Sequence, residues 1–425
     1  MAELKGNALV AQSGGPTAVI NSSMCGVIQE AAKHGCIEKV FAAKNGILGV
    51  LNEELMDMSK EDPAQIELLK STPSAASGSC RFKLKSLEES KTDFERILEV
   101  FRAHNVHYFF YNGGNDSMDT CSKIAQLAHQ IGWEMRCVGI PKTVDNDLAF
   151  TDHCPGYGSV IKYNAAAAME SARDTDSMYT FDVCTIHEVM GRNAGWIAAG
   201  CALARRGETD GPHLIYLPEA AFDEEHFLED VAEVYRKYQR CFIVVGEGLK
   251  DKDGKYISAE TSKIARDSFG HAQLGGVADF LKTLIQEKVK IKTRTNRAGT
   301  AQRAAMHFAS LTDRDEAYLC GQMAVRRAIE GVSGKMVSLV RESNDPYRCT
   351  TGLADLDAVA NGEKKVPREW INERGNMPNQ AFLDYARPLI QGEVPIVIRD
   401  GLPVYARLKG ILAEKKLPPW KSGGK

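Results

Sequence analysis

The sequence lacks the features by which several classes of protein are recognised. Its 11 cysteines contain no CxxC pair, since the nearest two are Cys25 and Cys36, which excludes a zinc ribbon or dithiol redox site. It has no run of about 18 apolar residues and no basic, apolar signal-peptide start. Basic and acidic residues are interspersed at a net charge of −3, which argues against a nucleic-acid-binding surface. We therefore expect a cytoplasmic protein with reduced cysteines that binds neither membranes nor nucleic acid.

What the sequence does have is an ordinary globular composition, with 44% hydrophobic and 26% charged residues over 425 positions. A chain of this length has room for about three domains. Apolar runs of strand length alternate with amphipathic helical patterns along most of it. This alternation predicts an α/β fold with mostly parallel sheets.

Three predicted strands run directly into glycine-containing or polar loops. Residues 8–12 lead into Ser-Gly-Gly-Pro-Thr, with Pro16 predicted in the first turn of a helix. Residues 106–111 lead into Asn-Gly-Gly-Asn-Asp-Ser, and residues 135–140 lead into the loop 141–147. The carboxyl ends of parallel strands meet at one edge of a sheet, where open α/β folds hold their ligands. Backbone glycines and helix N-termini at that edge would suit a phosphate.

Of these three loops, 141–147 has the highest density of charge. It places Lys142, a threonine, Asp145 and Asp147 within seven residues. Charges gathered in this way are costly to bury unless a charged ligand binds among them. We interpret the loop as the carrier of the proton acceptor in a phosphoryl transfer, against the alternative of a strand-end turn with solvated charges.

A second α/β unit follows the first. Its predicted strands, 182–187, 213–217 and 241–246, alternate with helical patterns and end in charged turns at 188–192 and 246–248. We expect two Rossmann-like βα domains with mostly parallel sheets that face each other across an active-site cleft.

The predicted domain boundaries follow from this alternation. The first domain takes residues 1–156 with about 298–320, and the second takes 157–297 with about 321–345. A C-terminal extension, 346–425, carries no motif that assigns it a role.

Two stretches combine polarity with positive charge. Residues 71–85 are polar and end in Arg81, Lys83 and Lys85, which favours a phosphate-facing loop over a linker. A helical pattern from 259 to 288 is followed by the basic run 290–297. Small anions met by such local basic residues are the expected partners.

Five motifs occur in order along the chain. They are Ser-Gly-Gly at 13–15, Gly-Gly-Asn-Asp-Ser at 113–117, Pro-Lys-Thr-Val-Asp-Asn-Asp at 141–147, Glu-Val-Met-Gly-Arg at 188–192 and Gly-Glu-Gly at 246–248. This set resembles the phosphofructokinase family, and within it the pyrophosphate-dependent branch. The resemblance implies a reversible phosphoryl transfer, with Mg²⁺, from pyrophosphate to the 1-hydroxyl of fructose 6-phosphate in glycolysis and gluconeogenesis.

The resemblance also implies catalytic roles. Asp145 would accept the proton of the sugar hydroxyl, Lys142 would face pyrophosphate, and Arg192 would lie near the reacting phosphate. Asp116 and Lys142 stand where ATP-using members have glycine, so the Asp116 carboxylate would occupy the nucleotide's space and repel its phosphate. Asp116 could also simply cap the following helix.

The implied magnesium residues are Asn115 and Asp147. The family usually has an aspartate at position 115, and an amide brings no charge to a metal. The direct ligands therefore stay open among Asn115, Asp116 and Asp147.

The implied substrate-binding residues come from every motif and both basic stretches: Gly15, Gly114, Arg81, Thr143, Val144, Met190, Gly191, Glu247, Arg294 and Arg297. Glu247 and backbone groups would bind sugar hydroxyls, while Arg294 and Arg297 would hold the 6-phosphate. Arg294 departs from the tyrosine or histidine common in the family, so Arg303 is a second candidate and a solvated basic surface is the alternative.

Other functions stay open at this point. An ATP-dependent phosphofructokinase and a kinase of sedoheptulose 7-phosphate are the nearest, and a non-catalytic regulatory subunit is a third. The presence of Asp145, Arg192 and Glu247 argues against the third. A homo-oligomer, dimer or tetramer, is expected.

Overall fold

The structure is a computed structural model that describes residues 4–178, 180–257 and 276–421. Most of the helical pattern predicted from residue 259 therefore lies outside the described residues. Within them, no helix is both long enough and apolar enough to cross a membrane.

The described strands are β1 Gly6–Gln12, β2 Ile37–Ala43, β3 Leu55–Asp57, β4 Val106–Gly113, β5 Arg136–Pro141, β6 Cys184–Val189, β7 Leu214–Tyr216, β8 Cys241–Gly246, β9 Thr293–Arg297, β10 Lys335–Asn344, β11 Tyr347–Asp355, β12 Ile398–Arg399 and β13 Leu402–Pro403. The helices are α1 Ile20–Ala31, α2 Ile47–Leu51, α3 Pro63–Leu68, α4 Lys91–Ala103, α5 Asn115–Gln130, α6 Tyr157–Ser177, α7 Trp196–Gly200, α8 Glu224–Tyr238, α9 Val277–Lys288, α10 Ala301–Ala304, α11 Leu311–Ile329, α12 Leu356–Asn361 and α13 Gln380–Ala386.

The larger sheet has the strand order β11-β10-β5-β4-β1-β2-β3. Its five central strands are parallel, and its two edge strands, β3 and β11, are antiparallel to their neighbours. Apolar side chains fill a core on each face, one under α4 and α5 and the other under α1 and α11. Burial on both faces explains why β1 and β4 read as continuous apolar runs.

The smaller sheet has the order β7-β8-β6-β9 and is parallel throughout. Helices α6 and α7 cover one face, and α8 and α9 cover the other. The prediction of two βα domains with mostly parallel sheets is therefore confirmed.

One predicted domain boundary is wrong. Residues 321–345 were predicted to join the second domain, but β10 lies beside β5 in the larger sheet, with Lys335 opposite Val138. The preceding helix α11 packs on α1 of the same domain. The helical and strand pattern here is the same for either domain, so only the pairing partner distinguishes them.

One local prediction also needs correction. Helix α1 begins at Ile20, so Pro16 lies in the loop before it. After β9, the short helix α10 is followed by a 3-10 turn, Met306–Phe308. Much of the basic run forms β9, paired with β6.

The C-terminal extension contacts both domains. After β11, Leu356 and Val359 of α12 join the core of the larger domain under α4 and α5. The following apolar side chains join the core under α6 and α7 of the smaller domain: Val366, Ile371, Phe382 and Leu389. Its last part then lies on the larger domain through Ala406, Leu408, Leu412, Leu417 and Trp420.

Candidate active site

The carboxyl ends of β1, β4 and β5 are joined by backbone hydrogen bonds. Ser13 N donates to Asn112 O at 2.9 Å, and Lys142 N donates to Gly113 O at 3.1 Å. The loop from the polar stretch 71–85 is drawn in as well, because Gly14 N donates to Cys80 O at 3.1 Å. The predicted meeting of these loops at one sheet edge is therefore what the structure shows.

Lys142 is the buried cation of this edge. Its side chain is 4% exposed, and its Nζ donates to Gly15 O at 2.9 Å. Burial lowers the pKa of Lys142 to about 8, against the opposing effect of the Asp145 and Asp147 carboxylates. The ammonium thus lies between the first glycine loop and the two acidic residues of its own loop.

Asp145 lies among charged groups from both domains. Burial, and next to it the nearby Glu247 carboxylate, raises the pKa of Asp145 above its ordinary value, while Lys142, Arg192 and Arg303 act in the opposite direction. Its backbone N–H donates to Thr143 Oγ1 at 3.1 Å, which fixes the start of the turn. A carboxylate with a raised pKa is suited to accept a proton near neutral pH.

Asp147 is a second half-buried carboxylate close to the first. Burial, and then repulsion from Asp145, raises the pKa of Asp147 to about 7, and the Glu363 carboxylate of the extension adds to the effect. Between the two aspartates, Asn146 is fully buried at φ 54°, a left-handed conformation that asparagine tolerates better than most residues.

Arg303 belongs to the same cluster. A Cβ atom added at Gly15 would lie only 2.7 Å from Nη1 of Arg303, so the absence of a side chain at Gly15 makes room for the guanidinium. Burial lowers the pKa of Arg303, and so does the neighbouring Arg81, while Asp145 and Glu247 oppose the effect. Arg303, Arg81 and Lys142 therefore provide concentrated positive charge beside the glycine loop.

Asp116 and Asn115 open α5, directly after Gly114. The Asp116 carboxylate forms an ion pair with Lys83 at 2.9 Å, so the loop 71–85 reaches this strand end. The Asn115 side chain points its amide at the extension, where Nδ2 donates to Val359 O at 3.0 Å and to Gly362 O at 2.7 Å. An aspartate could not donate these bonds, which gives the asparagine a structural reason.

The loops at the carboxyl ends of β6 and β8 face the cluster. Glu247 N donates to Val189 O at 3.1 Å, and Met190 N donates to the buried Gln302 side chain at 3.2 Å. Burial raises the pKa of Glu247, although Arg192 opposes it. Nε of Arg192 is buried without a hydrogen-bond partner in the described part of the chain, as expected for a donor that awaits an anion.

Arg294 and Arg297 do not point the same way. They are three residues apart on β9, and side chains at that spacing lie on opposite faces of a strand. Arg294 pairs with Asp174 of α6, while Arg297, at the strand's carboxyl end, pairs with Asp279 of α9 and lies 3.7 Å from Glu188. In this geometry only Arg297 lies at the edge that carries the other site residues.

The acidic residues fit a magnesium ion that arrives with phosphate. Among the described residues, no group of three or more His, Cys, Asp or Glu is arranged to hold a metal by itself. Mg²⁺ is commonly bound by one or two carboxylates, several waters and substrate phosphates. A cation beside Asp147 would relieve the repulsion between the two aspartates, so the donor set suits that mode.

Comparison with known proteins agrees with this geometry. Residues 7–328 match the model of the family described as PFK: Phosphofructokinase. The chain belongs to the phosphofructokinase family. The pyrophosphate--fructose 6-phosphate 1-phosphotransferase of Xanthomonas campestris pv. campestris (strain B100) is 47% identical over 418 residues, covering 98% of this chain and 99% of that protein.

Solved phosphofructokinase structures share the whole architecture. The pyrophosphate-dependent phosphofructokinase from Marinobacter aquaeolei is 45% identical, with a TM-score of 0.88 over 97% of this chain and 99% of its own. That from Nitrosospira multiformis is 43% identical, with a TM-score of 0.89 over 98% and 100%. The similarity thus includes the C-terminal extension as well as the family motifs.

The sequence motifs predict only part of this phosphofructokinase site. The sequence offers Arg303 only as a second candidate for the sugar phosphate, whereas the structure places it beside Gly15. Glu363 and Lys364 could not be predicted from the sequence, because the extension carries no motif and both residues resemble surface charges. Only their position against Asp147 shows their relevance.

Proposed function

We propose that the protein transfers a phosphoryl group reversibly from pyrophosphate to the 1-hydroxyl of fructose 6-phosphate. The products are fructose 1,6-bisphosphate and phosphate. The observation that carries the proposal is the convergence of Lys142 and Arg303 beside the glycine loop, with Asp145 between them and the sugar-side pair Arg192 and Glu247. The pyrophosphate-dependent relatives, matched over nearly the whole chain, support it.

The chemistry requires a proton acceptor and neutralisation of negative charge. The sugar oxygen bonds to one phosphorus of pyrophosphate as the bond from that phosphorus to the bridging oxygen breaks, and phosphate leaves. Asp145 takes the hydroxyl proton, while Lys142 and Arg192 face the phosphoryl oxygens. Magnesium, when bound near Asp147 and Asn115, supplies further positive charge to these oxygens.

The donor would be selected at the start of α5. In our proposal, Asp116 occupies the space in which ATP-using relatives place the nucleotide, and Lys83 holds its carboxylate there at 2.9 Å. Gly114 and Gly15 let the backbone approach pyrophosphate, and Arg81 adds charge from the neighbouring loop.

The sugar would lie between the two sheets. Glu247 would accept hydrogen bonds from its hydroxyls, and Thr143, Val144, Met190 and Gly191 would shape its pocket. Arg297 is the better placed of the two predicted arginines for the 6-phosphate, while a role for Arg294 requires it to leave Asp174.

A coupled assay tests this function directly. Purified protein with Mg²⁺ is given pyrophosphate, ATP or no donor, each with fructose 6-phosphate or sedoheptulose 7-phosphate. We expect turnover of fructose 6-phosphate with pyrophosphate alone. Product formed from ATP and none from pyrophosphate would refute the proposal.

The role of Asp145 has its own test. Replacing Asp145 by Ser should lower kcat by about 10²-fold to 10⁴-fold, with little change in KM for the sugar, because the base is lost and the binding groups stay. An unchanged kcat would remove Asp145 from that role.

We also propose that the enzyme is cytoplasmic and forms a homo-oligomer. Light scattering after size-exclusion chromatography would distinguish a dimer from a tetramer.

A further inference from the structure

A short segment of the extension, residues 362–366, contacts both halves of the site. Lys364 N donates to Asp147 O at 2.8 Å, so the segment lies against the loop of the proton acceptor. Lys364 O accepts from Nε1 of Trp196, the first residue of α7, at 3.0 Å. One residue of the extension thus joins a loop of the larger domain to a helix of the smaller domain.

The next residues extend this link on the sugar side. Val366 N donates to Oε1 of Glu219 at 3.0 Å, and the same oxygen accepts from Gly195 N at 2.9 Å. Gly195 lies just after the turn that carries Arg192. The segment therefore reaches the backbone beside Arg192 through a single carboxylate.

The side chain of Lys364 contacts the stretch that follows Asp145. Its ammonium group donates to Asp152 O at 2.7 Å, to Thr151 O at 3.1 Å and to Asn146 Oδ1 at 3.4 Å. An ammonium has three donors, and here each one has an acceptor on the stretch that follows Asp145. The ammonium also lies over the Trp196 ring, with Nζ 5.3 Å from the ring centroid.

Asn146 makes this contact important for the reaction. It is the residue between Asp145 and Asp147, its backbone is left-handed, and its side chain is fully buried. Besides Lys364, its Oδ1 accepts from Cys154 N at 2.9 Å, and its Nδ2 donates to the Tyr385 hydroxyl at 2.9 Å. The shape of the turn is thus held by side chains that come largely from the extension.

We propose that Lys364 is a positioning residue. It holds the turn of Asp145 in its reactive geometry and fixes the position of that turn relative to the smaller domain through Trp196. This inference rests on the proposed function. It assigns the extension a role in catalysis without any contact to substrate.

The test compares two lysine variants in the full-length protein. Lys364→Met keeps the length of the stem and removes the three donors. Lys162→Met is the matched control, because Lys162 of α6 is also a buried lysine whose ammonium donates to three acceptors, away from the reacting loop. They are Gly392 O (2.6 Å) and Glu393 Oε1 (2.8 Å) of the extension, and Ala309 O (3.4 Å). Each variant is assayed for kcat and for KM of both substrates.

We expect Lys364→Met to lower kcat by about tenfold to a hundredfold, with both KM values within about threefold of the original, since a small misplacement of a reacting group is costly. Lys162→Met should leave kcat within about twofold. Equal effects of the two variants on kcat, or a loss confined to KM, would overturn the proposal.

A measurement independent of turnover separates this inference from the proposed function. Hydrogen exchange of the amides at Asp145 and Cys154 should be faster in Lys364→Met and unchanged in Lys162→Met, whatever the donor of the reaction is. Unchanged exchange would refute the positioning role. If Lys364→Met does not fold, Tyr385→Phe tests the same turn, because the Tyr385 hydroxyl accepts from Asn146 Nδ2. We expect this variant to lower kcat by about threefold to tenfold. An unaltered kcat would again refute the positioning role.

Discussion

The low pKa of Lys142 predicts a specific loss of pyrophosphate use in alkaline solution. An exposed lysine has a pKa near 10.4, whereas burial lowers that of Lys142 to about 8. The free enzyme should hold this side chain about nine-tenths charged at pH 7 and about one-tenth charged at pH 9. If the ammonium binds pyrophosphate, kcat/KM for pyrophosphate should fall about tenfold between those two values of pH.

The measurement is kcat/KM for pyrophosphate from pH 6 to 10 at saturating fructose 6-phosphate, since this ratio reports groups of the enzyme form that meets pyrophosphate. Lys142→Arg is the control, because a guanidinium stays charged over this range. Its activity should be lower, since the space beside Gly14 and Gly15 suits a lysine, but its alkaline decline should shift to higher pH. Titration of pyrophosphate itself affects both proteins equally. An alkaline decline at the same pH in both would refute the assignment.

Two further predictions concern the start of α5. Asp116→Gly combined with Lys142→Gly should lower kcat/KM for pyrophosphate by at least tenfold, because a charge-assisted contact of about 1.5–3 kcal/mol is lost. The same double variant should admit ATP, because the two glycines open space for the nucleotide. Unaltered pyrophosphate kinetics would contradict this account of donor choice. Asn115→Asp should destabilise the fold by about 1–3 kcal/mol in urea unfolding, because its amide donors to Val359 O and Gly362 O are replaced by an acceptor. Asn361→Asp, which removes an exposed donor to Asp357 O, is its control and should cost less.

The regular elements could be predicted from the sequence because their patterns are local. Predicted and observed bounds agree for β8, Cys241–Gly246. The start of α1 could not be predicted, because Thr17 Oγ1 accepts from Val19 N at 3.2 Å and Thr17 O accepts from Ser74 N at 3.0 Å. These contacts hold the stretch around Pro16 out of the helix, and one of them comes from a distant loop.

The family motifs identified the centre of the site and missed its surroundings. Lys142, Asp145 and Asp116 could be named because family resemblance gives those positions a role. Lys364 could not, since nothing in the sequence of the extension shows which carbonyl groups its ammonium will meet. The same limit applied to Arg294, whose strand assignment alone reveals that it faces away from Arg297.

The position of β10 has a consequence for how the chain folds as it is synthesised. Lys335 pairs with Val138, so the edge of β5 stays open while the ribosome makes the whole of the smaller domain. That domain, whose sheet is built from β6 to β9, can form while the larger sheet is still incomplete. The nascent protein must therefore shield the unpaired edge of β5 while residues 142–334 are synthesised, and chaperone binding is expected to be strongest during that interval.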